Sequence, residues 1–324
     1  MQCLVTGASG FIGERLCREL KDKGAFVRAM DMVRRNGPWD EFMDAELGRG
    51  SVPATAFSGI DVVFHLAGKV HALSEVKADD AEYFRINTEG TREVLVAAQA
   101  AGVRRFVLFS TVKAMSGKDA PSQSVPLGEL TGVDPDTPYG QSKLAAEKLT
   151  LNGGFVPEPV VLRLCMVYGA GAKGNMQKML QAISKNRFPP VPELGNRRSM
   201  VHVTDVIQAA ILAAERKEAV GQIFIVSDGK AYSTRQMYEY ICSSLGRTPA
   251  LLTVPRWVLK GLAVTGDKLG RLRNRRFVFD SDALEKLTGC AWFSSQKIES
   301  TLGFKPTYDL EKAMPEMVAE LNHG

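Results

Sequence analysis

Along the first half of the chain, short apolar runs alternate with longer stretches whose apolar residues fall three and four apart. The short runs read as buried strands and the longer stretches as helices. Cys3-Leu4-Val5-Thr6 is a strand, and Arg15-Leu16-Cys17-Arg18-Glu19-Leu20 continues into a helix. Phe26-Val27-Arg28-Ala29-Met30 is a second strand that ends at Asp31. Asp61-Val62-Val63-Phe64-His65-Leu66-Ala67-Gly68 reads as a third, followed by a helix from about Ala81 to Ala101. Arg105-Phe106-Val107-Leu108-Phe109-Ser110-Thr111 and Val160-Val161-Leu162-Arg163-Leu164 are further strands, with a polar loop from Lys118 to Thr137 and a helix opening at Tyr139 between them. Asn36 to Gly59 has no clear pattern. This alternation predicts an α/β fold, a doubly wound parallel sheet with helices on both faces.

The second half is less regular. Helical patterns occupy about Met176–Lys185 and Val203–Glu215, and Gln222-Ile223-Phe224-Ile225-Val226 reads as a strand. Prolines at 189, 190, 192, 249 and 255 punctuate loops. We expect a sheet domain over residues 1–165, with 200–228 returning to it. Residues 166–199 and 229–324 then form a smaller substrate-binding lobe over the carboxyl edge of the sheet.

The first strand runs straight into Gly7-Ala8-Ser9-Gly10-Phe11-Ile12-Gly13. Gly7 allows the tight turn, Gly10 lets backbone N–H groups approach a pyrophosphate, and Gly13 lets the helix pack closely on the strand. The start of the helix, Phe11 and Ile12 included, then faces the phosphate charge. This is the arrangement of a Rossmann-type dinucleotide site. Asp31, at the end of the second strand, can accept both adenosine ribose hydroxyls. A carboxylate there repels a 2′-phosphate and favours NAD over NADP, although Arg34 and Arg35 follow closely enough to neutralise such a phosphate. Leu66, Ala67 and Gly68 end the third strand on residues small enough to let a cofactor approach the sheet.

Tyr139 and Lys143 stand four apart in Pro138-Tyr139-Gly140-Gln141-Ser142-Lys143, so on a helix they share a face. A phenol has a pKa of about 10 and is a weak base at neutral pH. A nearby ammonium favours the phenolate. The pair is expected to move a proton to or from a sugar or alcohol hydroxyl while a hydride is transferred.

Composition narrows the class. The chain has 324 residues, 45% hydrophobic and 24% charged, which suits an ordinary globular protein with a large core. A net charge of +5 fits an anionic small ligand and is too small to argue for nucleic acid. Cys3, Cys17, Cys165, Cys242 and Cys290 are widely spaced and read as reduced thiols of a cytoplasmic protein. His65, His71, His202 and His323 show no metal-ligand spacing, and His65 and His202 read as structural. No secretory signal and no transmembrane segment is visible.

Gly7-x-x-Gly10-x-x-Gly13, Asp31, Asp61-Val62, the Ser110-Thr111 strand end and Tyr139-x-x-x-Lys143 occur in this order. In this the chain resembles the extended short-chain dehydrogenase/reductase family, and within it the NAD-dependent nucleotide-sugar epimerase/dehydratase branch. Asn87-Thr88-Glu89-Gly90-Thr91, Val167-Tyr168-Gly169, Lys173-Gly174-Asn175, Arg198-Ser199-Met200-Val201-His202-Val203-Thr204-Asp205 and Leu302-Gly303-Phe304-Lys305-Pro306 extend the resemblance over nearly the whole chain. It implies that Thr111 is the catalytic hydroxyl beside Tyr139, with Ser110 as its substitute. It also implies that Lys143 binds the nicotinamide ribose, and that Asp61, Val62 and Asn87 belong to the cofactor site. Asn175 and Arg198 would hold a nucleotide diphosphate, a task suited to the planar guanidinium. A homodimer through two helices per subunit is a further implication.

The expected reaction is inversion at C4 of a nucleotide-diphosphate sugar through a 4-keto sugar, in a role such as polysaccharide biosynthesis. A 4-keto-sugar or other carbonyl reductase is the second reading, and an NAD-binding sensor or scaffold the non-enzyme one. Dehydration would need an acid-base pair where Val112-Lys113 stand. Two positions depart from the branch. Val112 competes with Thr111 for the hydroxyl position, and Met166 stands where sugar epimerases often carry Asn. Lys113 is placed to reach a substrate phosphate. Arg256 to Arg276 holds seven basic residues against Asp267 alone, with Trp257, Val258, Leu259, Leu262 and Val264 interleaved. It reads as a substrate-lobe helix with a basic rim, or alternatively as a membrane-surface helix.

Overall fold

The computed structural model describes residues 1–50, 52–70, 80–115, 123–272 and 279–321. His71, Ser116, Gly117, Arg273, Arg275, Arg276 and His323, together with the first part of the polar loop, lie outside the described residues. The strands are β1 (Gln2–Thr6), β2 (Phe26–Asp31), β3 (Glu41–Asp44), β4 (Val62–His65), β5 (Arg105–Thr111), β6 (Glu158–Leu164), β7 (Met166–Tyr168), β8 (Arg198–His202), β9 (Ile223–Val226) and β10 (Ala231–Tyr232). Seven of them form a parallel sheet in the order β3-β2-β1-β4-β5-β6-β9. Strand order reverses between β1 and β4, and the carboxyl ends of the strands at such a reversal are where open α/β sheets bind ligands.

The helices are α1 (Phe11–Asp22), α2 (Asp80–Tyr83), α3 (Gly90–Ala100), α4 (Pro138–Asn152), α5 (Asn175–Ser184), α6 (Val203–Glu215), α7 (Thr234–Ser244), α8 (Arg256–Leu272), α9 (Ser281–Thr288), α10 (Gln296–Leu302) and α11 (Leu310–Leu321). A π-helical turn, Phe84–Glu89, joins α2 to α3. Side chains of a strand alternate between faces, and here both faces are covered. Cys3, Val5, Phe64, Val107 and Leu162 meet Leu16 and Leu20 of α1 and Val206 and Ala210 of α6. Leu4, Val63, Phe106, Leu108 and Val161 meet Val94 and Leu95 of α3 and Ala146 of α4. Burial on both sides explains why these strands read as unbroken apolar runs.

The unpatterned stretch from Asn36 to Gly59 contains β3, an edge strand with only Phe42 and Met43 apolar and neither fully buried. Four residues at an edge carry too little pattern to be seen. β9 and α6, from the second half, complete the large sheet and one of its faces. A separate sheet, β10-β8-β7, lies above, with β7 and β8 parallel and β10 antiparallel. It packs with α5, α7 and α11 around Tyr168, Met200, Leu180, Ile241 and Met314. All five cysteines are buried and free.

Candidate active site

α4 opens under clear local control. Thr137 caps it, its hydroxyl accepting from Gly140 N (3.1 Å), and Pro138 fills the first turn, where a missing N–H costs nothing. A Cβ on Gly140 would lie 2.3 Å from the Lys113 carbonyl, so only glycine lets the helix sit against the turn that follows β5. Tyr139, Lys143 and Glu147 then fall on one line of α4, all buried. Tyr139 is hydrogen-bonded to Thr111 and packs edge-on against Tyr83, with ring centroids 5.9 Å apart. Lys143 Nζ donates to the Phe109 carbonyl (2.7 Å).

Thr111, not Val112, faces Tyr139. Val112 turns the other way, into a cluster with Met115, Cys165, Ile225 and Phe293. Ser110, expected to share the catalytic role, meets the same line of α4 two turns beyond Tyr139. Its hydroxyl donates to Glu147 Oε1, which holds a bidentate contact with Arg163 (Nη2–Oε2 2.7 Å, Nε–Oε1 3.0 Å). Ser110 is thus committed to a buried ionic network. The Lys113 backbone N–H donates to Thr111 Oγ1 (3.2 Å).

Burial pushes the Tyr139 phenol up to about 12, the Thr111 hydrogen bond opposing and Tyr83 adding to the rise. Burial also pushes the Lys143 ammonium down to about 8, with Glu147 opposing. In the protein alone, the group that lowers the phenol is Thr111.

The nucleotide end is built from close approaches. Gly7 adopts φ +69°, and a Cβ there would lie 2.8 Å from Ala67 N. A Cβ on Gly13 would lie 2.2 Å from the Gly7 carbonyl, so α1 can approach the turn only without one. α1 starts at Phe11 behind Gly10, which provides no side-chain cap, so the first N–H groups keep their donor capacity for an anion. Asp31 stands at the carboxyl end of β2, braced by Ser9 N to Oδ2 (2.9 Å) and Met32 N to Oδ1 (2.7 Å). Each oxygen keeps a lone pair for a diol. These features fit a dinucleotide.

Asp61 and Val62 do not belong to this end. Asp61 Oδ2 accepts from Gln2 N (2.7 Å) at the amino end of the sheet, and Val62 is buried opposite Cys3. The strand runs away from them toward the ligand edge, where Leu66, Ala67 and Gly68 lie. Asp44 and Ala45, which no motif marks, lie beside Asp31. Asp44 pairs in register with Asp31, and Ala45 N donates to the Asp31 carbonyl (3.0 Å). Their signal was an Asp at the end of an apolar pair. Arg34 is engaged by Asp44 (Nη2–Oδ2 2.6 Å).

Asn87 is buried and acts as a clasp. Its Oδ1 accepts from Lys69 N (2.8 Å), and its Nδ2 donates to the Lys69 carbonyl and the Ser142 hydroxyl (both 3.0 Å). It ties the loop after β4 to α4 one residue before Lys143. His65 is structural, as expected. Ala67 N donates to Thr6 Oγ1 (3.1 Å), leaving the Thr6 hydroxyl to donate to His65 Nδ1 (2.7 Å). His65 Nε2 meets Thr91 Oγ1 (3.0 Å), whose own proton goes to the Asn87 carbonyl (2.6 Å).

Asn175 and Arg198 lie in the upper lobe. Asn175 is exposed at the first position of α5, and Arg198 is half-buried at the start of β8, paired with Tyr232. β7 leaves the end of β6 at Met166, two residues beyond Leu164, the register partner of Thr111, and β8 runs beside it. His202 Nδ1 accepts from Thr204 N (3.3 Å) and its ring stacks on Tyr308. No His/Cys/Asp/Glu cluster among the described residues could hold a metal.

A parallel sheet with an uncapped Gly-rich helix start and a buried Tyr-Lys pair defines a dinucleotide-dependent oxidoreductase-type fold. Residues 3–227 match the model of the NAD dependent epimerase/dehydratase family, and the chain belongs to that family of NAD-dependent enzymes. It is 28% identical to the UDP-glucose 4-epimerase of Vibrio cholerae over 97% of this chain and 93% of that one. It is 30% identical to a 4-hydroxy-2-methyl-3-oxo-4-farnesyl-3,4-dihydroquinoline-1-oxide ketoreductase of Stigmatella aurantiaca, over 84% of this chain and 81% of that one. The structure of MoeE5 in complex with UDP-glucuronic acid and NAD superposes with a TM-score of 0.78, at 22% identity and over 100% and 99% of the two chains. No helix among the described residues is long and apolar enough to cross a membrane.

Proposed function

We propose that this protein is a nucleotide-diphosphate-sugar 4-epimerase that works through a transient 4-keto sugar. The observation that carries the reading is Tyr139 held against Thr111 at the carboxyl end of β5, with Lys143 one turn below. Tyr139 takes the proton of the C4 hydroxyl and returns it after the sugar has turned over. Thr111 shares a hydrogen bond with the same oxygen and holds the reacting hydroxyl in line. Bound NAD would supply the hydride acceptor, and its reduced form the hydride donor, for this exchange. Lys143 holds the nicotinamide ribose, and its ammonium favours the phenolate once a ligand displaces it from Phe109. Asp31 holds the adenosine ribose, with Asp44 and Ala45 beside it. The Gly7–Gly10 turn and the first residues of α1, through Gly13, receive the pyrophosphate, and Asn87 positions the loop beneath. Arg198 and Asn175 hold the diphosphate of the substrate, and Lys113 lies on the loop that faces it.

A second reading, a carbonyl reductase using the same Tyr139, Thr111 and Lys143, is favoured by Met166 and by the likeness to a ketoreductase. The discriminating experiment incubates the purified protein with UDP-, GDP-, CDP- and dTDP-hexoses. Proton NMR follows the products while nicotinamide absorbance is recorded. Interconversion of C4 epimers without net change in NADH supports the epimerase. Stoichiometric NAD(P)H oxidation with a 4-keto sugar or another ketone, with no epimer formed, overturns it in favour of the reductase.

A further inference from the structure

The upper lobe carries a surface that the site does not use. The segment before α8 is pinned at two points: the Ala250 carbonyl accepts from Arg235 (3.2 Å to Nη2), and Val254 N donates to the Pro190 carbonyl (2.8 Å). Between the pins Leu251 and Leu252 stand 93% and 88% exposed. α8 follows. Its inner line, Leu259 and Ala263, is fully buried. At 100° per residue, Trp257, Val264 and Lys268 fall opposite that line, with Lys260 beside them. Trp257 is 76% exposed, and Val264 and Leu262 are each half exposed. Arg256, Lys260 and Lys268 are exposed. The helix has one acid, Asp267, and it is turned to α9, where Ser281 donates to it from both N (3.1 Å) and Oγ (2.6 Å).

We propose that this face, Leu251, Leu252 and the outer line of α8, docks on an anionic lipid surface. The argument is charge complementarity combined with the mixing of residue types. A protein–protein interface gathers its aromatic and aliphatic side chains in a core from which lysine is depleted. Here lysines alternate with Trp257 and Val264 along the same line. A second protein covering Trp257 would bury those ammonium groups or leave the tryptophan uncovered. A bilayer resolves the conflict. Headgroup phosphates take the ammonium groups, lysine stems lie along apolar surface, and indole sits at the boundary between headgroups and acyl chains. Leu251 and Leu252, projecting from a pinned loop, insert without unfolding anything.

The test uses the full-length protein and sedimentation with vesicles. One set is phosphatidylcholine mixed with phosphatidylglycerol, the other phosphatidylcholine alone. We expect binding to the first set, weakened by salt, and little to the second. Lys260→Gln and Lys268→Gln should each weaken binding about fivefold. Leu251→Ser with Leu252→Ser should abolish it, and so should Trp257→Ser. Circular dichroism and NAD affinity of each variant verify the fold. Failure of the wild-type protein to bind anionic vesicles overturns the proposal, as does equal binding by the Trp257 or double-leucine variants. A concentration-dependent oligomer that Trp257→Ser dissociates assigns the face to a second copy instead, and also overturns it.

Discussion

Glu147 and Arg163 form a bidentate, fully buried ion pair one helical turn beyond Lys143, and the pair is joined by Ser110. Glu147 thus links the catalytic helix to β5 and β6, and its charge raises the pKa of Lys143 against the lowering by burial. Glu147→Gln leaves the Arg163 guanidinium buried without its counter-charge and should destabilise the protein by about 3–5 kcal/mol, measured by urea unfolding. It should also lower Lys143 further below about 8. Activity that depends on the ammonium falls as pH rises through that value, so its alkaline limit should move to lower pH. Lys143 is depressed from 10.5, so the unfolded chain binds more protons between about 8 and 10.5, and this group's contribution to stability rises across that window. An unmoved alkaline limit in the variant would remove Glu147 from the electrostatics of the site.

Tyr139→Phe removes only a hydroxyl and should cost about 10²–10⁴ in kcat while leaving NAD affinity unchanged by calorimetry. Thr111→Val should also lower kcat, because the hydrogen bond it removes is the one that holds the phenol below where burial would drive it. Equal kcat for Thr111→Val and the wild type would show that Tyr139 needs no partner on β5.

What was readable in the chain follows sequence distance. The Gly7–Gly13 turn and the Tyr139–Lys143 pair are local, so spacing alone puts their atoms together. Ser110 is claimed by Glu147, eight residues along α4 from Tyr139, and that contact is made by packing. Asp61 enters only through the family resemblance, and its position before an apolar run already puts it at the end of β4 away from the ligand edge. Strand direction decides that, and Asp61 is at the amino end. Asp44 was hidden in a four-residue edge strand. The partnership of Glu147 with Arg163 is created by packing α4 on β6, and no pattern in one sequence displays it.

His65 offers a test of the buried chain from Ala67 to Asn87. The two threonine hydroxyls fix the ring with its proton on Nε2, and burial pushes its pKa down to about 3, with the Lys143 charge adding to the fall. Its folded-state value lies below the ordinary 6.5, so the unfolded chain binds the extra proton first. Stability from this group is full above about 6.5 and is lost as pH falls toward 3. Nitrogen-15 NMR at pH 5 should show a neutral Nε2–H ring. A doubly protonated ring in the folded protein at that pH would contradict the arrangement.

Cofactor choice rests on how Asp31 and Arg34 are held. Asp31→Ala removes charge-assisted hydrogen bonds to the ribose and should weaken NAD by about 1.5–3 kcal/mol, with a smaller loss for NADP. Arg34 could serve a 2′-phosphate, but Asp44 engages it across an exposed pair, and such pairs are worth only about 0–1 kcal/mol. Breaking it should therefore cost little stability and free the guanidinium. In an Asp31→Ala/Asp44→Ala double variant the preference should shift toward NADP, and a further Arg34→Ala change should reverse the gain. Calorimetric titration with both cofactors checks this. If the double variant binds NADP no better than Asp31→Ala alone, the Asp44–Arg34 pair has no part in cofactor selection.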